Sequence, residues 1–187
     1  MGMWLFLFTE LILFGGMFII YAVYRFSHPA EFHLAAQELD TSVGMINTII
    51  LLTSSMTMAM AITAIQKKDK ILSMALVSAT LVLAFAFLVN KFFEWSTKFS
   101  HGIYPGSTEL MGKPPGEVLY FGLYFVMTGL HALHVMIGMG LLAVNLAFIK
   151  RGIVTWDKSV KLETAGLYWH LVDLIWIFLF PLFYLIH

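Results

Sequence analysis

The chain has 187 residues, of which 60% are apolar and only 12% are charged. The charged fraction is about half the usual value for soluble proteins, which excludes a disordered chain and indicates a membrane protein. The eleven basic and eleven acidic residues balance, so the sequence gives no reason to expect nucleic acid as a partner. Because the chain has no cysteine, a disulfide, an iron–sulfur cluster and a cysteine nucleophile are excluded.

Five stretches are long and apolar enough to cross a bilayer, which takes about 20 mostly apolar residues in a helix. The short strands of alternating polarity that build a membrane barrel are not seen in the sequence. We therefore predict an all-α fold, with a single transmembrane domain over residues 1–187 that forms a bundle of five helices. The predicted helices cover about residues 3–24, 44–65, 71–93, 118–149 and 164–186.

The basic residues favour one orientation of these helices. Seven lysines and arginines fall on the side of the N-terminus and of the second and fourth loops, and four fall on the other side. Because short loops rich in lysine and arginine stay in the cytoplasm, we predict the N-terminus inside and the C-terminus outside. The two longer loops, about 25–43 and 94–117, then face outward.

A few polar side chains fall inside the predicted helices, where such residues are rare and usually face protein or water. At a rise of about 1.5 Å per residue, five of them lie at similar depth, within roughly 8 Å of the midplane. We predict that some of these groups meet in a buried polar cluster, because residues three apart share a helix face. The five candidates are Glu10, His131, His134, His170 and Asp173, and two further polar candidates near the outer end are Asn90 and Glu94.

Three interpretations of these polar residues remain open. They can form a structural network that fixes helix packing by interhelical hydrogen bonds, or Glu10 can handle protons. A metal site is the third, because imidazole and carboxylate suit several transition metals. However, "HALH" (131–134) is the only multi-histidine motif, whereas di-iron bundles need paired Glu-x-x-His helices. We therefore predict no metal ligand and no catalytic residue.

Aromatic residues lie near several of the predicted helix ends. Tryptophan and tyrosine are enriched at both membrane–water interfaces, so we predict that these residues form interfacial belts. They are Trp4, Trp95, Trp169 and Tyr184.

Several motifs follow one another in an order found in a known family. They are "MWLFLFTELILFGGMFIIYAVYR" (3–25), "INTIILLTSSMTMAMA" (46–61), "KFFEWSTKFSHGIYPG" (91–106), "YFVMTGLHALHVMIG" (124–138) and "ETAGLYWHLVDLIWIFLF" (163–180). Together they resemble subunit III of the haem-copper oxidases, the cytochrome c oxidase subunit III family. The resemblance covers nearly the whole chain, and the last two motifs are the most specific in combination.

The sequence departs from the long form of that family in two respects. The long form has seven helices, and the present chain begins at what would be the third, so it resembles the short five-helix form. The second glycine of the family's histidine motif is Ala132 here. Beginning at the third helix of the long form still places the N-terminus inside and the C-terminus outside.

The resemblance implies a non-catalytic subunit of an oxidoreductase complex, in which subunits I and II hold the haems and copper. It implies that the chain binds no redox cofactor directly, packs beside subunit I, binds phospholipid and supports proton uptake. The complex would reduce oxygen with electrons from cytochrome c or quinol and translocate protons across the bacterial cytoplasmic (inner) membrane. By the same resemblance, Glu10 matches a membrane-buried, carbodiimide-reactive glutamate, and Glu94 matches the acid of a glutamate–aromatic pair.

Other functions stay as alternatives. Some short family members with similar motifs are associated with nitric oxide reductase, so an accessory protein of that enzyme is the nearest alternative. A stand-alone small transporter would call for an inverted repeat or interrupted helices at the midplane, and the sequence shows neither. A membrane metalloenzyme is disfavoured by the single histidine motif.

Overall fold

The computed structural model describes residues 2–186, and within them it contains helices and connecting turns but no strand. Five helices are long and apolar enough to cross a membrane, which confirms the predicted all-α membrane fold. They are α1 (Gly2–Ser27), α3 (Thr41–Gln66), α4 (Lys70–Ser100), α6 (Pro115–Lys150) and α7 (Val160–Tyr184), and the short helices are α2 (Pro29–Ala36) and α5 (Thr108–Met111).

The two predicted outer loops are wrong in part, because both contain helix. The loop predicted over about 25–43 contains α2, which begins at Pro29 and buries Phe32, Ala35 and Ala36 on one face. Proline is well tolerated at the first helical position, and this helix is too short for a hydropathy window to detect. The last predicted helix also ends early, at Tyr184 rather than at 186.

The loop predicted over about 94–117 begins too early, because α4 continues from 93 to Ser100. Lys91, Glu94 and Lys98 follow a helical spacing, and all three side chains lie largely inside the protein. A hydropathy criterion stops where charges begin, although here the charged side chains form the buried face. The short helix α5 also lies in this segment, where the Ser107 hydroxyl caps it by accepting from the Leu110 amide at 3.1 Å.

Three of the long helices end in the same left-handed turn. The residues just past α3, α4 and α6 have positive φ, namely Lys68 at 67°, Gly102 at 71° and Gly152 at 73°. At the end of α3 the Lys68 and Asp69 amides donate back to Ile65 and Ala64, the bond pattern of a Schellman cap. At Lys68 the conformation costs a non-glycine residue about 1–2 kcal/mol.

The chain divides into two compact units. The first unit takes Met1–Ile46, Asn90–His131 and Ile175–His187, and the second takes Asn47–Val89 and Ala132–Leu174. By these bounds α3, α4, α6 and α7 each contribute one part to either unit, whereas α1, α2 and α5 belong to the first alone.

Aromatic rings fill the core of the first unit. The Tyr21 ring meets Phe32 at 5.5 Å and Phe183 at 5.1 Å, and Tyr120 meets the same two rings at 5.4 and 5.6 Å, all edge to face. The two tyrosine hydroxyls donate to backbone carbonyls near the end of α7, with Tyr120 bonded to Phe183 at 2.6 Å. These bonds satisfy the buried phenols and hold the end of α7 against α1 and α6.

Close helix contacts organise the second unit. A Cβ built on Gly138 of α6 would lie 2.9 Å from the Trp169 ring of α7, and one built on Gly166 would lie 2.6 Å from Ile62 of α3. The two glycines therefore allow α7 to approach both neighbours, as small residues do in membrane proteins. Trp169 is fully buried, and its indole nitrogen donates to the Ser54 hydroxyl at 3.1 Å.

Candidate functional site

Four residues form a buried polar network in the first unit, which we call the closed cluster: Lys91, Glu94, Tyr124 and Tyr184. The Lys91 ammonium donates to Glu94 Oε2 at 3.1 Å, to the Tyr124 hydroxyl at 3.2 Å and to the Tyr184 hydroxyl at 2.6 Å. Both hydroxyls in turn donate to Glu94 Oε1. All three ammonium donors and both carboxylate oxygens are thus used, which is why this pair can be buried.

Aromatic rings also surround the Lys91 ammonium. Its Nζ lies 4.9 Å from the centroid of the Trp176 ring, 5.1 Å from that of Tyr124 and 5.2 Å from that of Tyr184. A cation over such rings is attracted by their quadrupoles, most strongly where water is excluded. The closed cluster therefore joins α4, α6 and α7 by an ion pair, hydrogen bonds and cation–π contacts.

A cavity of about 410 Å³ in the first unit borders the closed cluster at Glu94. Its polar wall includes Glu38 and Asp40, and its apolar wall includes Ile46 and Phe93. The cavity also borders Asn90, so the two candidates that the sequence predicted near the outer end, Asn90 and Glu94, line one space.

Three residues of the second unit form another polar group, which we call the open cluster: Ser55, His170 and Asp173. The Ser55 hydroxyl and His170 Nδ1 are 2.6 Å apart, and Ser55 also lies beside the Asp173 carboxyl group. Asp173 is only 3% exposed, yet neither of its carboxylate oxygens has a partner of ordinary hydrogen-bond geometry among residues 2–186. His170 is half-buried, so this cluster reaches the protein surface.

The structure brings only some of the five predicted cluster residues together. His170 and Asp173 meet through Ser55, while the backbone carbonyl of His134 accepts from the Tyr168 hydroxyl at 3.1 Å. His131 is fully buried, and its ring centroid lies 5.2 Å from that of Trp176. Glu10 is half-buried on α1. Glu10 and His131 belong to the first unit, whereas His134, His170 and Asp173 belong to the second. That all five residues meet in one cluster therefore stays a prediction.

The sequence reasoning missed four residues of these clusters: Lys91, Tyr124, Tyr184 and Ser55. Tyr184 was predicted to lie in an interfacial belt together with Trp169, and this is wrong because they are 1% and 0% exposed. Their polar atoms bond to buried protein groups instead of to the membrane interface. The spacing of Lys91 and Glu94, three apart on one helix face, was the signal that could have revealed the ion pair.

Metal binding finds no support in the arrangement of ionisable side chains. Over the part of the chain that the structure describes, no three histidine, aspartate or glutamate side chains are grouped so that they could hold an ion. His131 and His134 share a helix but have different surroundings, with the His131 ring against Trp176.

A third group of charges lies at the surface of the first unit, between the segment after α2 and the start of α6. Lys113 forms ion pairs with Glu38 and, at 3.1 Å, with Glu117. Partial burial acts to lower the pKa of Lys113, but hydrogen bonds to the two carboxylates outweigh it and raise the pKa above its usual value. The Glu31 carboxylate also accepts from the Gly116 amide, so these contacts tie α2 to the start of α6.

Comparison with known proteins decides the family. A family model described as cytochrome c oxidase subunit III matches residues 1–187. The chain belongs to the cytochrome c oxidase subunit III family. This confirms the resemblance seen in the sequence motifs and, with the five spans, makes the chain an integral membrane protein.

Individual relatives agree with this assignment to the subunit III family. The chain is 31% identical to the heme-copper oxidase subunit I+III of Aeropyrum pernix, over 99% of this chain but only 22% of that longer protein. It is also 31% identical to cytochrome c oxidase subunit 3 of Thermostichus vulcanus, over 100% of this chain and 86% of that one. A cytochrome bo(3) ubiquinol oxidase subunit 3 of Pseudomonas aeruginosa is 28% identical, over 98% and 83%.

All members of the two clusters except Tyr184 fall within the motifs that carry the resemblance to the subunit III family. Lys91 and Glu94 open the segment 91–106, and Ser55 lies in 46–61. His170 and Asp173 lie in 163–180. The segments that resemble the family therefore supply most of the polar side chains that join the helices inside each unit.

Proposed function

We propose that this chain is the non-redox subunit III of a haem-copper respiratory terminal oxidase. The observation that carries the proposal is the family match over residues 1–187, together with relatives named as subunits of cytochrome c and quinol oxidases. In this proposal the catalytic subunits hold the haems and copper, and this chain supports their oxygen reduction and proton translocation. The membrane would be the bacterial cytoplasmic membrane, with the N-terminus inside.

Subunit I is the proposed main partner. One relative is named heme-copper oxidase subunit I+III, so in that protein the two subunits are parts of one polypeptide. The closed cluster supports a scaffolding role for the present chain, because an ion pair with every donor and acceptor used keeps three helices in fixed register. Subunit II and bound phospholipid complete the proposed assembly.

Purification of the tagged full chain from its native membranes in mild detergent tests this proposal. We expect subunits I and II to co-purify and the preparation to show the optical spectrum of haem. Oxidation of reduced cytochrome c or of quinol by the preparation then identifies the electron donor. Co-purification with the catalytic subunit of a nitric oxide reductase would favour that alternative, and purification of the chain alone, from membranes that contain the oxidase, would overturn the proposal.

The proposed support of proton uptake rests on Glu10. We expect Glu10→Ala to leave the haem content of the purified complex unchanged and to shorten its working life under turnover. Glu10→Gln is the matched control, because it keeps the size of the side chain and removes only its charge. Loss of haem in Glu10→Ala would show that the residue is needed for assembly instead.

A further inference from the structure

The open cluster presents a polar group at the surface of a membrane-spanning segment. Ser55 lies in α3 and His170 in α7, both within helices that have the length and composition of membrane spans. Nδ1 of His170 is bonded to Ser55, while Nε2 has no hydrogen-bond partner among residues 2–186. A half-buried imidazole that faced hydrocarbon would leave that nitrogen without a partner, which is unfavourable where no water is present to bond to it. A lipid chain therefore does not suit this surface.

Three other exposed or half-buried polar side chains of the second unit do not share this problem. The hydroxyls of Thr53 and Thr63 donate to carbonyls one turn earlier in α3, and that of Ser78 does the same in α4. Each of them is satisfied within its own helix and can face lipid without a partner. His170 has a long side chain with two separated ring nitrogens, and only one of them is satisfied from inside the chain.

The buried end of the cluster is also incomplete. Asp173 lies one helical turn beyond His170 and is buried, with its carboxyl group beside Ser55. The Ser55 hydroxyl has a single proton. If that proton points towards the Asp173 carboxyl group, the Ser55 oxygen accepts from Nδ1–H of His170. Nε2 of the neutral ring then carries no proton, so it can only accept a bond from a donor outside the chain.

Apolar side chains surround this polar centre on both helices. Leu167 and Leu174 lie about one turn before and after His170 on α7, and they are 42% and 44% exposed. On α3, Leu52 and Ala59 lie about one turn before and after Ser55, and both are exposed. The small Ala59 permits close approach of another helix. Helix contacts in membranes usually combine such small residues with polar residues that form hydrogen bonds between the helices.

We infer that this α3–α7 face of the second unit is the surface that binds subunit I, through a transmembrane helix that donates a hydrogen bond to His170 Nε2. The inference rests on the proposed function, which supplies subunit I as the partner. An α4 face of the same unit serves as a contrast, since its exposed residues Val82 and Phe85 are apolar and suit lipid. The donor on subunit I is an N–H or O–H group, such as a hydroxyl, an amide, an indole or a cationic side chain.

Site-specific photocrosslinking in the assembled complex tests the inference. We place p-benzoylphenylalanine at Leu167 or Leu174 of the tagged full chain, with Val82 on α4 and Ile19 on α1 as exposed control positions. We expect ultraviolet light to join the chain to subunit I from Leu167 and Leu174 but not from the controls. Two results would overturn the inference. One is that only a control position forms crosslinks to subunit I, and the other is that Leu174 forms crosslinks only to a second copy of this chain or to lipid.

Loss of the hydrogen bond gives an independent readout. We expect His170→Leu to lower the fraction of subunit I retained on the tagged chain by about threefold to thirtyfold, the effect of one interhelical hydrogen bond in a membrane. Val82→Leu is the matched control and should leave retention unchanged. Equal retention in both variants would contradict the inference. If wild-type chain itself fails to retain subunit I, the proposed function fails, whereas retention by wild type with the wrong crosslinks overturns only the inferred face.

Discussion

The closed cluster and the open cluster solve the same physical problem in different ways. Each places an acid inside a membrane-spanning segment, where a polar group without a partner is costly. In the closed cluster Glu94 accepts from a lysine and two tyrosines, and its side chain is only 6% exposed. In the open cluster Asp173 has only Ser55 beside it, and the chain of contacts ends at the half-buried His170.

The difference indicates two roles for polar residues in one membrane subunit. A network that uses all its donors and acceptors internally needs nothing from outside, so its role is to hold helices together. A network with one unused nitrogen at the surface and an incompletely bonded acid is suited to a partner that supplies the missing bond. Substitutions that act on one cluster and leave the other intact test whether the two roles differ.

The largest effect is expected from breaking the ion pair of the closed cluster. Glu94→Leu leaves the Lys91 ammonium buried without its carboxylate, and the removal of one partner of a buried pair costs about 3–5 kcal/mol. We expect a loss of this size in the free energy of unfolding of the chain, measured by steric trapping in bicelles. A loss below about 1 kcal/mol would show that the cluster contributes little to stability, as exposed ion pairs do.

A double substitution separates loss of the pair from loss of packing. Lys91→Met removes the charge that Glu94→Leu leaves behind, and apolar replacements of similar volume at both positions of a buried pair are often neutral. We therefore expect the double variant to be more stable than either single variant. Additive losses in the double variant would contradict the ion-pair explanation.

A methyl group at one glycine should disturb the closed cluster through packing alone. A Cβ on Gly44 would lie 2.8 Å from both the Phe180 and the Tyr184 rings, so Gly44→Ala must displace a tyrosine that bonds to Glu94 and Lys91. Overpacking of this kind costs about 1–3 kcal/mol, which the same unfolding measurement detects. Gly15→Ala on α1 is the matched control, because nothing lies within 4 Å of its built Cβ, and an equal loss there would contradict the packing argument.

Removal of the acid from the open cluster should have the opposite sign in the isolated chain. Asp173→Leu replaces an incompletely bonded buried carboxyl group by an apolar side chain, and burial of such a polar group costs about 1–3 kcal/mol. We expect the free energy of unfolding of the isolated chain to stay unchanged or to rise by up to that amount, in contrast to Glu94→Leu. A loss of several kcal/mol would mean that Asp173 is fully bonded and that the contrast between the clusters is false.

Much of the fold was predictable because the length of an apolar run can be read directly from the sequence. Five runs of apolar residues predicted the five spans, and the i, i+3 spacing of His170 and Asp173 predicted that the two share a helix face. The C-terminal end of α4 was not predicted, because its buried face carries Lys91, Glu94 and Lys98. Hydropathy treats such charges as the end of a membrane helix, whatever their tertiary partners are.

The membership of each cluster could not be read from one helix alone. Tyr124 and Tyr184 reach Glu94 from two other helices. Ser55 of α3 bonds to His170 of α7 although 115 positions of sequence separate them, and no periodicity connects the two. Tyrosine near a helix end fits a membrane interface and a buried hydrogen bond equally well by sequence. Only the packing of α7 against α4 and α6 in the first unit decides for the buried position of Tyr184.

The smallest effect is expected at the surface charges around Lys113. Its pairs with Glu38 and Glu117 are partly exposed, so Lys113→Met should cost only about 0.2–1 kcal/mol, and less at high salt. The pKa of this lysine is higher in the folded chain than its value of 10.5 in the unfolded chain. Its contribution to the free energy of unfolding is therefore complete below pH 10.5 and is lost only as the pH rises through the higher pKa of the folded state. The difference in unfolding free energy between Lys113→Met and wild type should therefore stay constant between about pH 7 and pH 9. A difference that changes across that range, or one as large as that of Glu94→Leu, would show that these surface pairs behave like the closed cluster.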